Sequence, residues 1–253
     1  MGPIPYFAGK LSNMSTLTRI INRWGLLEGL KFYYKVQQTK PPVWHLNELK
    51  HPVYLRPGTS DHAVFKQVFG KGDYDLELPF APATIIDGGA NIGLFAVLMA
   101  SRYPNAAIVS IEPDAANYNQ LCKNSKPYPG ISTIKAGLWN TNCHLQIVDQ
   151  ASEAWSLQVE EAPAGTTTNL PAMHILEIMQ NAGWAGIDLL KLDVEGAEAM
   201  IFKDNYEAWL GKTRMLIIEL HEKAFPGSSA AFEKAILNRY STRFTYGEFE
   251  VFY

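Results

Sequence analysis

The stretch that decides the fold is TIIDGGANIG, which occupies residues 84–93. It begins with an apolar run that ends in an acid, continues through small residues, and enters an apolar segment with helical periodicity. This order is typical of a buried β-strand, a tight turn and a helix. Ligands of such α/β folds bind beyond the carboxyl ends of the strands, so the sequence predicts a binding site at this turn.

The acid before the turn separates two candidate cofactors. The dinucleotide fingerprint G-x-G-x-x-G needs a glycine where Ala90 stands, whereas the sequence reads D-x-G-x-N-x-G from Asp87. A carboxylate at this place repels a pyrophosphate and attracts a cationic sulfonium and its amino group. We therefore expect S-adenosylmethionine rather than NAD. The remaining alternative is an ordinary tight turn that binds nothing.

The glycines of this turn have predicted roles of their own. Gly88 and Gly89 can adopt backbone angles barred to other residues, and they leave no Cβ between the turn and a ligand. Gly93 is expected to let the helix pack closely on the sheet.

Two segments further along the chain fit the same ligand. Glu112 ends the next apolar run, AAIVSIE, and an acid at that point can accept both hydroxyls of a ribose. Residues 136–139, AGLW, offer apolar surface and backbone groups to an adenine ring, although Trp139 is equally suited to the core.

Two later strand ends carry candidate catalytic groups. In LLKLDVEGAE, residues 189–198, Asp193 ends a buried run and could serve as a base, an orienting group or a metal ligand. The acid Glu198 is explained as well by capping of the next helix. In IIELHE, residues 217–222, Glu219 and His221 share one face, and His221 is a candidate general base or a hydrogen-bonded structural histidine.

The order of apolar runs predicts an α/β protein with a doubly wound, mostly parallel Rossmann-like sheet and an antiparallel C-terminal hairpin. We expect strands at residues 84–87, 107–112, 131–136, 187–193 and 215–220. We expect helices at residues 61–69, 92–102, 114–124, 174–183, 197–210 and 228–240. An extended hairpin is expected within residues 143–160, and a second one turns near Gly247.

The charge is distributed unevenly along the 253 residues, of which 47% are hydrophobic. Residues 1–50 carry a net charge of +5 and residues 51–253 a net charge of -8. Residues 15–38 have an amphipathic helical pattern, as one helix or as two broken near Gly25. We expect a leader over residues 1–50, as a lid or a membrane-surface or partner-docking element, followed by one domain over residues 51–253.

Composition also bounds the partners and the compartment. The overall net charge of -3 provides no global field for nucleic acid. The two cysteines, Cys122 and Cys143, have no metal-binding spacing and indicate a reducing compartment. The first residues contain no secretory signal pattern and no apolar run is long enough to span a membrane, so we expect a cytoplasmic protein. The oligomeric state is not predicted.

In its ordered motifs the sequence resembles the FkbM-type family of class I S-adenosylmethionine-dependent methyltransferases. The matching blocks are YLRPGTSD (residues 54–61), IIDGGANIG (85–93), IEP (111–113), LLKLDVEGAE (189–198) and IIELH (217–221). The resemblance implies a Rossmann-like fold, a donor site at the first glycine turn, and O-methylation of a hydroxyl on a sugar or a natural product. The alternatives are N-methylation of a small molecule and a non-catalytic adapter with a vestigial donor site.

The resemblance and the residue patterns together give a candidate site. The catalytic candidates are His221 and Asp193, with a divalent cation such as magnesium held by Asp193 and Glu219 as the alternative mechanism. Within the upstream block, Arg56 is expected to bind the donor carboxylate bidentately. The residues predicted to bind the donor are Arg56, Thr59, Ser60, Asp61, Asp87, Gly88, Gly89, Ala90, Asn91, Gly93, Glu112, Pro113, Gly137, Leu138 and Asp193.

Overall fold

A seven-stranded sheet forms the centre of the molecule. The computed structural model describes residues 16–38, 41–147, 159–163, 170–222 and 226–253. The strands of this sheet are β3 Thr84–Gly88, β4 Ala107–Ile111, β5 Ile131–Ile134, β10 Ile187–Leu192, β11 Thr213–Ile218, β12 Arg243–Tyr246 and β13 Phe249–Phe252. Their order in the sheet is β12-β13-β11-β10-β3-β4-β5. β3, β4, β5, β10 and β11 are parallel, and β12 and β13 form the predicted antiparallel hairpin.

The helices cover both faces of the sheet, which confirms the predicted doubly wound α/β fold. They are α1 Thr16–Trp24, α2 Leu26–Gln38, α3 Asp61–Phe65, α4 Leu94–Arg102, α5 Ala115–Ser125, α6 Ile175–Asn181, α7 Glu198–Ile201, α8 Glu207–Leu210 and α9 Ser228–Ile236. A π-helical segment, Lys66–Lys71, continues α3. It extends the helix that the sequence predicts over residues 61–69.

Alternation along the buried strands produces two cores. Ile85 and Leu189 point into a cluster with α4 and the leader helices, whereas Ile86 and Leu190 point into a cluster with α6, α8 and α9. Each of these four side chains is fully buried. Because the strands are covered on both faces, their apolar runs are continuous rather than alternating.

The predicted hairpin within residues 143–160 belongs to a second, four-stranded sheet. Its strands are β6 Gly137–Leu138, β7 Cys143–Ile147, β8 Val159–Glu161 and β9 Leu170–Met173, in the order β6-β9-β7-β8. β7 and β8 pair antiparallel as expected, and residues 148–158 of the predicted hairpin lie outside the described part of the chain. The sequence does not predict the pairing of β9 with β6 and β7, since the short strands β6 and β9 have no clear apolar period.

The helix predicted over residues 197–210 is wrong in its length. The chain forms two short helices, α7 and α8, separated by a turn in which Asn205 has a φ of 61°. Asp204 accepts a hydrogen bond from Asn140 Nδ2 at 2.8 Å, and Asn205 Nδ2 donates to the Asn140 carbonyl at 3.2 Å. These bonds to the loop after β6 hold the turn and interrupt the helix.

The leader forms a helical hairpin that packs on the first core. α1 and α2 are separated at Gly25, whose φ of 79° breaks the helix where the sequence predicts a break. Ile20, Phe32 and Val36 are buried in the same cluster as α4. β1 Val43–Trp44 pairs with β2 Val53–Tyr54 across residue 50. Residues 1–15 of the predicted leader lie outside the described part of the chain.

Leu26, Leu27 and Tyr34 remain exposed on the leader hairpin. Within the described residues, no helix combines the length and the apolar character that crossing a membrane requires.

Candidate active site

The turn after β3 is held by backbone hydrogen bonds to the end of β4. The amides of Gly89 and Ala90 both donate to the Ile111 carbonyl, at 3.1 and 2.9 Å. Gly89, Asn91 and Gly93 have φ values of 71°, 51° and 83°, so three residues between β3 and α4 are left-handed. Asparagine and glycine are the residues that tolerate this conformation best.

The glycines of this turn leave room for protein atoms. A Cβ on Gly89 would lie 1.7 Å from the Asp193 carbonyl oxygen, and one on Gly88 would lie 2.6 Å from Leu138 Cδ1. A Cβ on Gly93 would lie 2.6 Å from Leu121 Cδ1 in α5, so Gly93 brings α4 close to α5 rather than to the sheet. The turn is therefore packed between the ends of neighbouring elements.

Glu112 joins this turn to the start of α5. Its Oε2 accepts from the Asn91 amide at 2.8 Å and its Oε1 from the Asp114 amide at 3.0 Å. Burial raises the pKa of Glu112 to about 7, although these two hydrogen bonds oppose the shift. A carboxylate oxygen can accept more than one hydrogen bond, so each oxygen keeps capacity for a ligand hydroxyl.

Asp87 is buried against Lys191, which lies within the apolar run of β10. Lys191 Nζ lies 3.3 Å from Asp87 Oδ1, and Ser110 Oγ donates to Asp87 Oδ2 at 3.4 Å. The Asp87 side chain has no exposed surface and that of Lys191 is 3% exposed. Direct contact of Asp87 with the donor therefore stays a prediction, and the geometry instead gives its charge a partner inside the protein.

The upstream block forms a closed cluster beside the turn. Arg56 donates to Asp61 through Nε at 3.0 Å and Nη2 at 2.7 Å, and also to Asn117 Oδ1 in α5. The Nε–Nη2 edge of Arg56 is thus bound to Asp61, and bidentate binding of a donor carboxylate by Arg56 stays a prediction. Thr59 and Ser60 are exposed, and Thr59 Oγ1 donates to the Arg56 carbonyl at 3.0 Å. Their contact with the donor stays a prediction.

The remaining predicted donor residues lie at the same edge of the sheet. Gly137 and Leu138 form β6 and are buried, and Leu138 packs over Gly88. Ala90 is buried in the turn, and Pro113 is half-buried after Glu112. Within the described part of the chain, Asn91 Oδ1 is buried without a hydrogen-bond partner.

Asp193 and His221 meet beyond the ends of β10 and β11. His221 Nε2 lies 3.8 Å from Asp193 Oδ1, 3.3 Å from Glu195 Oε2 and 3.8 Å from Glu219 Oε1. On its other side, His221 Nδ1 is hydrogen-bonded to Oε1 of the fully buried Glu198 at 2.7 Å. The capping role considered for Glu198 is therefore replaced by a role in orienting the imidazole.

The surrounding carboxylates set the charge of this cluster. Burial alone would lower the pKa of His221, but the bond to Glu198 and the charges of Glu195 and Asp193 outweigh it and raise the pKa to about 9. Burial and the charge of Asp193 raise the pKa of Glu219 to about 7, against the opposing charge of His221. Near neutral pH, His221 is mainly a cation and Glu219 can gain or lose a proton.

The same cluster has the composition of a cation site. Asp193, Glu219 and His221 each offer one ligand atom, and these atoms lie within 4.8 Å of one another. All three side chains are half-buried, so an ion could reach them from solvent.

The sequence pattern does not reveal the contacts of two residues at this site. It indicates a capping role for Glu198 and places Lys191 within an apolar strand. One signal could have identified Lys191: on adjacent parallel strands it is the direct partner of Asp87, so a lysine within an apolar run faces an acid.

Comparison with known proteins places the chain among methyltransferases. The family model of the methyltransferase FkbM domain matches residues 87–244. Methyltransferase sdnD of Sordaria araneosa is 25% identical over 193 residues, which cover 63% of this chain and 74% of the relative. The AMB antimetabolite synthetase AmbE of Pseudomonas aeruginosa is 28% identical over 204 residues, which cover 63% of this chain but 9% of the synthetase.

A solved structure, methyltransferase FkbM from Methylobacillus flagellatus, aligns with 98% of this chain and 60% of its own, at 16% identity and a TM-score of 0.49. The chain thus spans less than two thirds of that protein. The family model of the FkbM domain matches more than half of the 253 residues of this chain, so the chain belongs to the FkbM methyltransferase family.

Proposed function

We propose that this protein transfers a methyl group from S-adenosylmethionine to a hydroxyl oxygen of a sugar or a natural-product small molecule. The observation that carries the proposal is the convergence of the Glu112-bound turn and the Asp193–His221 pair at one edge of the sheet in a member of this family. The name of the antimetabolite synthetase among the relatives supports a natural-product acceptor. Family membership favours a methyl donor over the alternative of NAD.

The residues of the turn fit the proposed donor. Glu112 has acceptor capacity for ribose hydroxyls, and the buried Asn91 Oδ1 lacks a partner among the described residues and can accept from an amino group. S-adenosylmethionine, when bound, supplies an electrophilic methyl group.

In the Asp193–His221 pair, His221 would accept the proton of the acceptor hydroxyl and Asp193 would orient the imidazole. Glu198 holds the Nδ1 side of His221, so Nε2, which also lies 3.3 Å from Glu195 Oε2, is the atom through which the imidazole would accept a proton from an acceptor hydroxyl. With a pKa of about 9, roughly one molecule in a hundred carries a neutral His221 at pH 7. Glu219, with a pKa of about 7, is a second base within the same cluster.

Two measurements test this function. Calorimetric titration with S-adenosylmethionine, S-adenosylhomocysteine and NAD should give saturable binding of the first two only. Transfer of a labelled methyl group to a panel of hydroxylated sugars and natural products should then be lost in His221→Ala and Asp193→Asn. Glu207→Gln, an exposed acid on α8, is the matched control and should retain turnover. Wild-type turnover in both site variants would remove the pair from the mechanism.

The cation site supports a second mechanism for the same reaction. A divalent ion such as magnesium held by Asp193, Glu219 and His221 would lower the pKa of the acceptor hydroxyl. In that case a chelator abolishes turnover and magnesium restores it. If the chelator does not change turnover, the metal mechanism is rejected, and His221 or Glu219 is the base that takes the proton of the acceptor hydroxyl.

We propose that the leader hairpin is a packed cover of the domain. The burial of Ile20, Phe32 and Val36 in the first core supports this role, whereas exposed Leu26, Leu27 and Tyr34 keep a membrane-surface role open. Pelleting of the protein with anionic vesicles, compared with a Leu26→Ser, Leu27→Ser variant, separates the two roles.

A further inference from the structure

Lys191 is a buried cation surrounded by oxygen atoms from two functional segments. Its Nζ donates to the Gly89 carbonyl at 2.7 Å and to the Gly88 carbonyl at 3.2 Å. It lies 3.3 Å from Asp87 Oδ1 and 3.7 Å from Asp193 Oδ2. One side chain thus contacts both the turn after β3 and the acid that follows β10.

These contacts belong to a row of alternating charges that crosses the edge of the sheet. The row runs from Asp87 through Lys191 and Asp193 to His221 and ends at Glu198. Its two terminal carboxylates are fully buried, and Lys191 is nearly so. Only the middle of the row, at Asp193 and His221, is open to solvent.

The contacts exceed what neutralising Asp87 requires. A buried ion pair needs one opposite charge, and such a pair can often be replaced by neutral residues of similar size. Lys191 in addition holds the carbonyls of two consecutive glycines, Gly88 and Gly89, which Ala90 separates from the Asn91 amide that Glu112 binds. Burial lowers the pKa of Lys191, but the charges of Asp87 and Asp193 more than offset it, so the ammonium keeps its proton.

We propose that Lys191 is a positioning residue that fixes the donor turn and the Asp193 carboxylate relative to each other. The proposal rests on the function proposed above, because it assumes that the turn binds the methyl donor. Lys191 does not contact the acceptor in this arrangement; it acts through Gly88, Gly89 and Asp193.

The test separates positioning from simple neutralisation of Asp87. In the double variant Lys191→Met, Asp87→Asn, the buried charges disappear together, so the protein is expected to stay folded. The glycine carbonyls and Asp193 nevertheless lose their anchor. We expect the double variant to bind S-adenosylhomocysteine about tenfold or more weakly than Asp87→Asn alone, as the loss of a charged hydrogen bond implies. Equal affinities of these two variants overturn the proposal.

Two further variants control for stability and for hydrogen bonding. Leu190→Ala removes a buried side chain of the same strand and should lower the melting temperature without weakening binding. Lys191→Gln retains N–H donors for the carbonyls and should recover part of the affinity lost in Lys191→Met. If Leu190→Ala weakens binding as much as Lys191→Met does, the effect is general destabilisation and the proposal fails.

A measurement without ligand separates this proposal from the proposed function. Amide hydrogen exchange of residues 88–91 should be faster in the double variant than in Asp87→Asn. Unchanged exchange overturns the positioning role even if the wild type binds no donor. Absence of donor binding by the wild type, with faster exchange in the variant, rejects the proposed function and leaves the positioning of the turn supported.

Discussion

At the scale of single residues, two glycines with the same φ show what the turn after β3 requires. Gly89 and Gly183 both have a φ of 71°, but a Cβ on Gly183 meets nothing within 4 Å. Gly183→Ala should therefore cost only the conformational penalty of about 1–2 kcal/mol. Gly89→Ala adds a collision with the Asp193 carbonyl and should lower the free energy of unfolding by more and abolish donor binding.

Denaturant unfolding and calorimetry with S-adenosylhomocysteine measure both variants. Equal losses of stability would mean that the turn can move away from Asp193.

Glu112 predicts how donor affinity depends on pH. Its pKa of about 7 in the folded protein exceeds its ordinary value of 4.5, so it stabilises the fold below pH 4.5 and loses that contribution as pH rises through 7. Ribose hydroxyls donate to the ionised form and would lower this pKa. Affinity for S-adenosylhomocysteine should accordingly rise with pH up to about 7, by at most about tenfold per pH unit, and then level off.

The matched variant is Glu112→Gln, in which calorimetry should give an affinity that is lower and independent of pH over this range. A flat profile in the wild type would exclude contact between Glu112 and the donor.

His221 should titrate with Glu198 as its main partner. Its pKa of about 9 lies above the ordinary 6.5, so the ionised imidazole stabilises the fold fully below pH 6.5 and this contribution disappears as pH rises through about 9. Glu198→Gln removes the negative hydrogen-bond partner and should lower the pKa of His221. NMR titration of the imidazole measures the change, with Glu207→Gln as the control. An unchanged pKa would assign the shift to Asp193 and Glu195 instead.

At the scale of elements, the sequence predicts the parts that depend on local pattern. The runs that end at Asp87, Glu112 and Asp193 are apolar on both faces, which predicts that these strands are buried. The helices between the runs predict parallel strands, whose carboxyl ends meet at the same edge of the sheet. The turn at Asn205 could not be predicted in this way, because its bonds reach Asn140, far away in the sequence.

The sequence pattern also does not predict which side chains bind each other at the site. Arg56 has the right chemistry for a ligand carboxylate, but its Nε and Nη2 already donate to Asp61, five residues later. Lys191 follows two leucines within β10. Only the register of β10 against β3 shows that it is the direct partner of Asp87. Pairings of this kind depend on the three-dimensional neighbours, which periodicity does not encode.

The leader hairpin gives a prediction at this scale. Phe32 is buried against the domain, whereas Leu27 is 73% exposed. Phe32→Ala should lower the free energy of unfolding by about 3–5 kcal/mol, because it leaves a cavity in the first core. Leu27→Ala should change it by less than about 0.5 kcal/mol. Urea unfolding of both variants checks the difference; a small effect of Phe32→Ala would indicate a hairpin that detaches readily.

At the scale of the whole molecule, the candidate site depends on both cores at once. The strands β3, β10 and β11 lie between the two hydrophobic clusters, and the turn after β3, Lys191 and His221 all lie at or beyond their carboxyl ends. A ligand at this edge therefore contacts elements that are held from both faces of the sheet. Its binding energy should stabilise the fold as a unit rather than one segment of it.

Thermal unfolding with ligand tests this coupling. S-adenosylhomocysteine at about 100 times its dissociation constant contributes about 2.7 kcal/mol, which should raise the melting temperature by about 5–10 °C in a single transition. NAD at the same concentration is the control and should leave the transition unchanged, because the turn lacks the second glycine of the dinucleotide pattern. Two transitions, of which only one responds to the ligand, would show that the leader or the second sheet unfolds independently of the site.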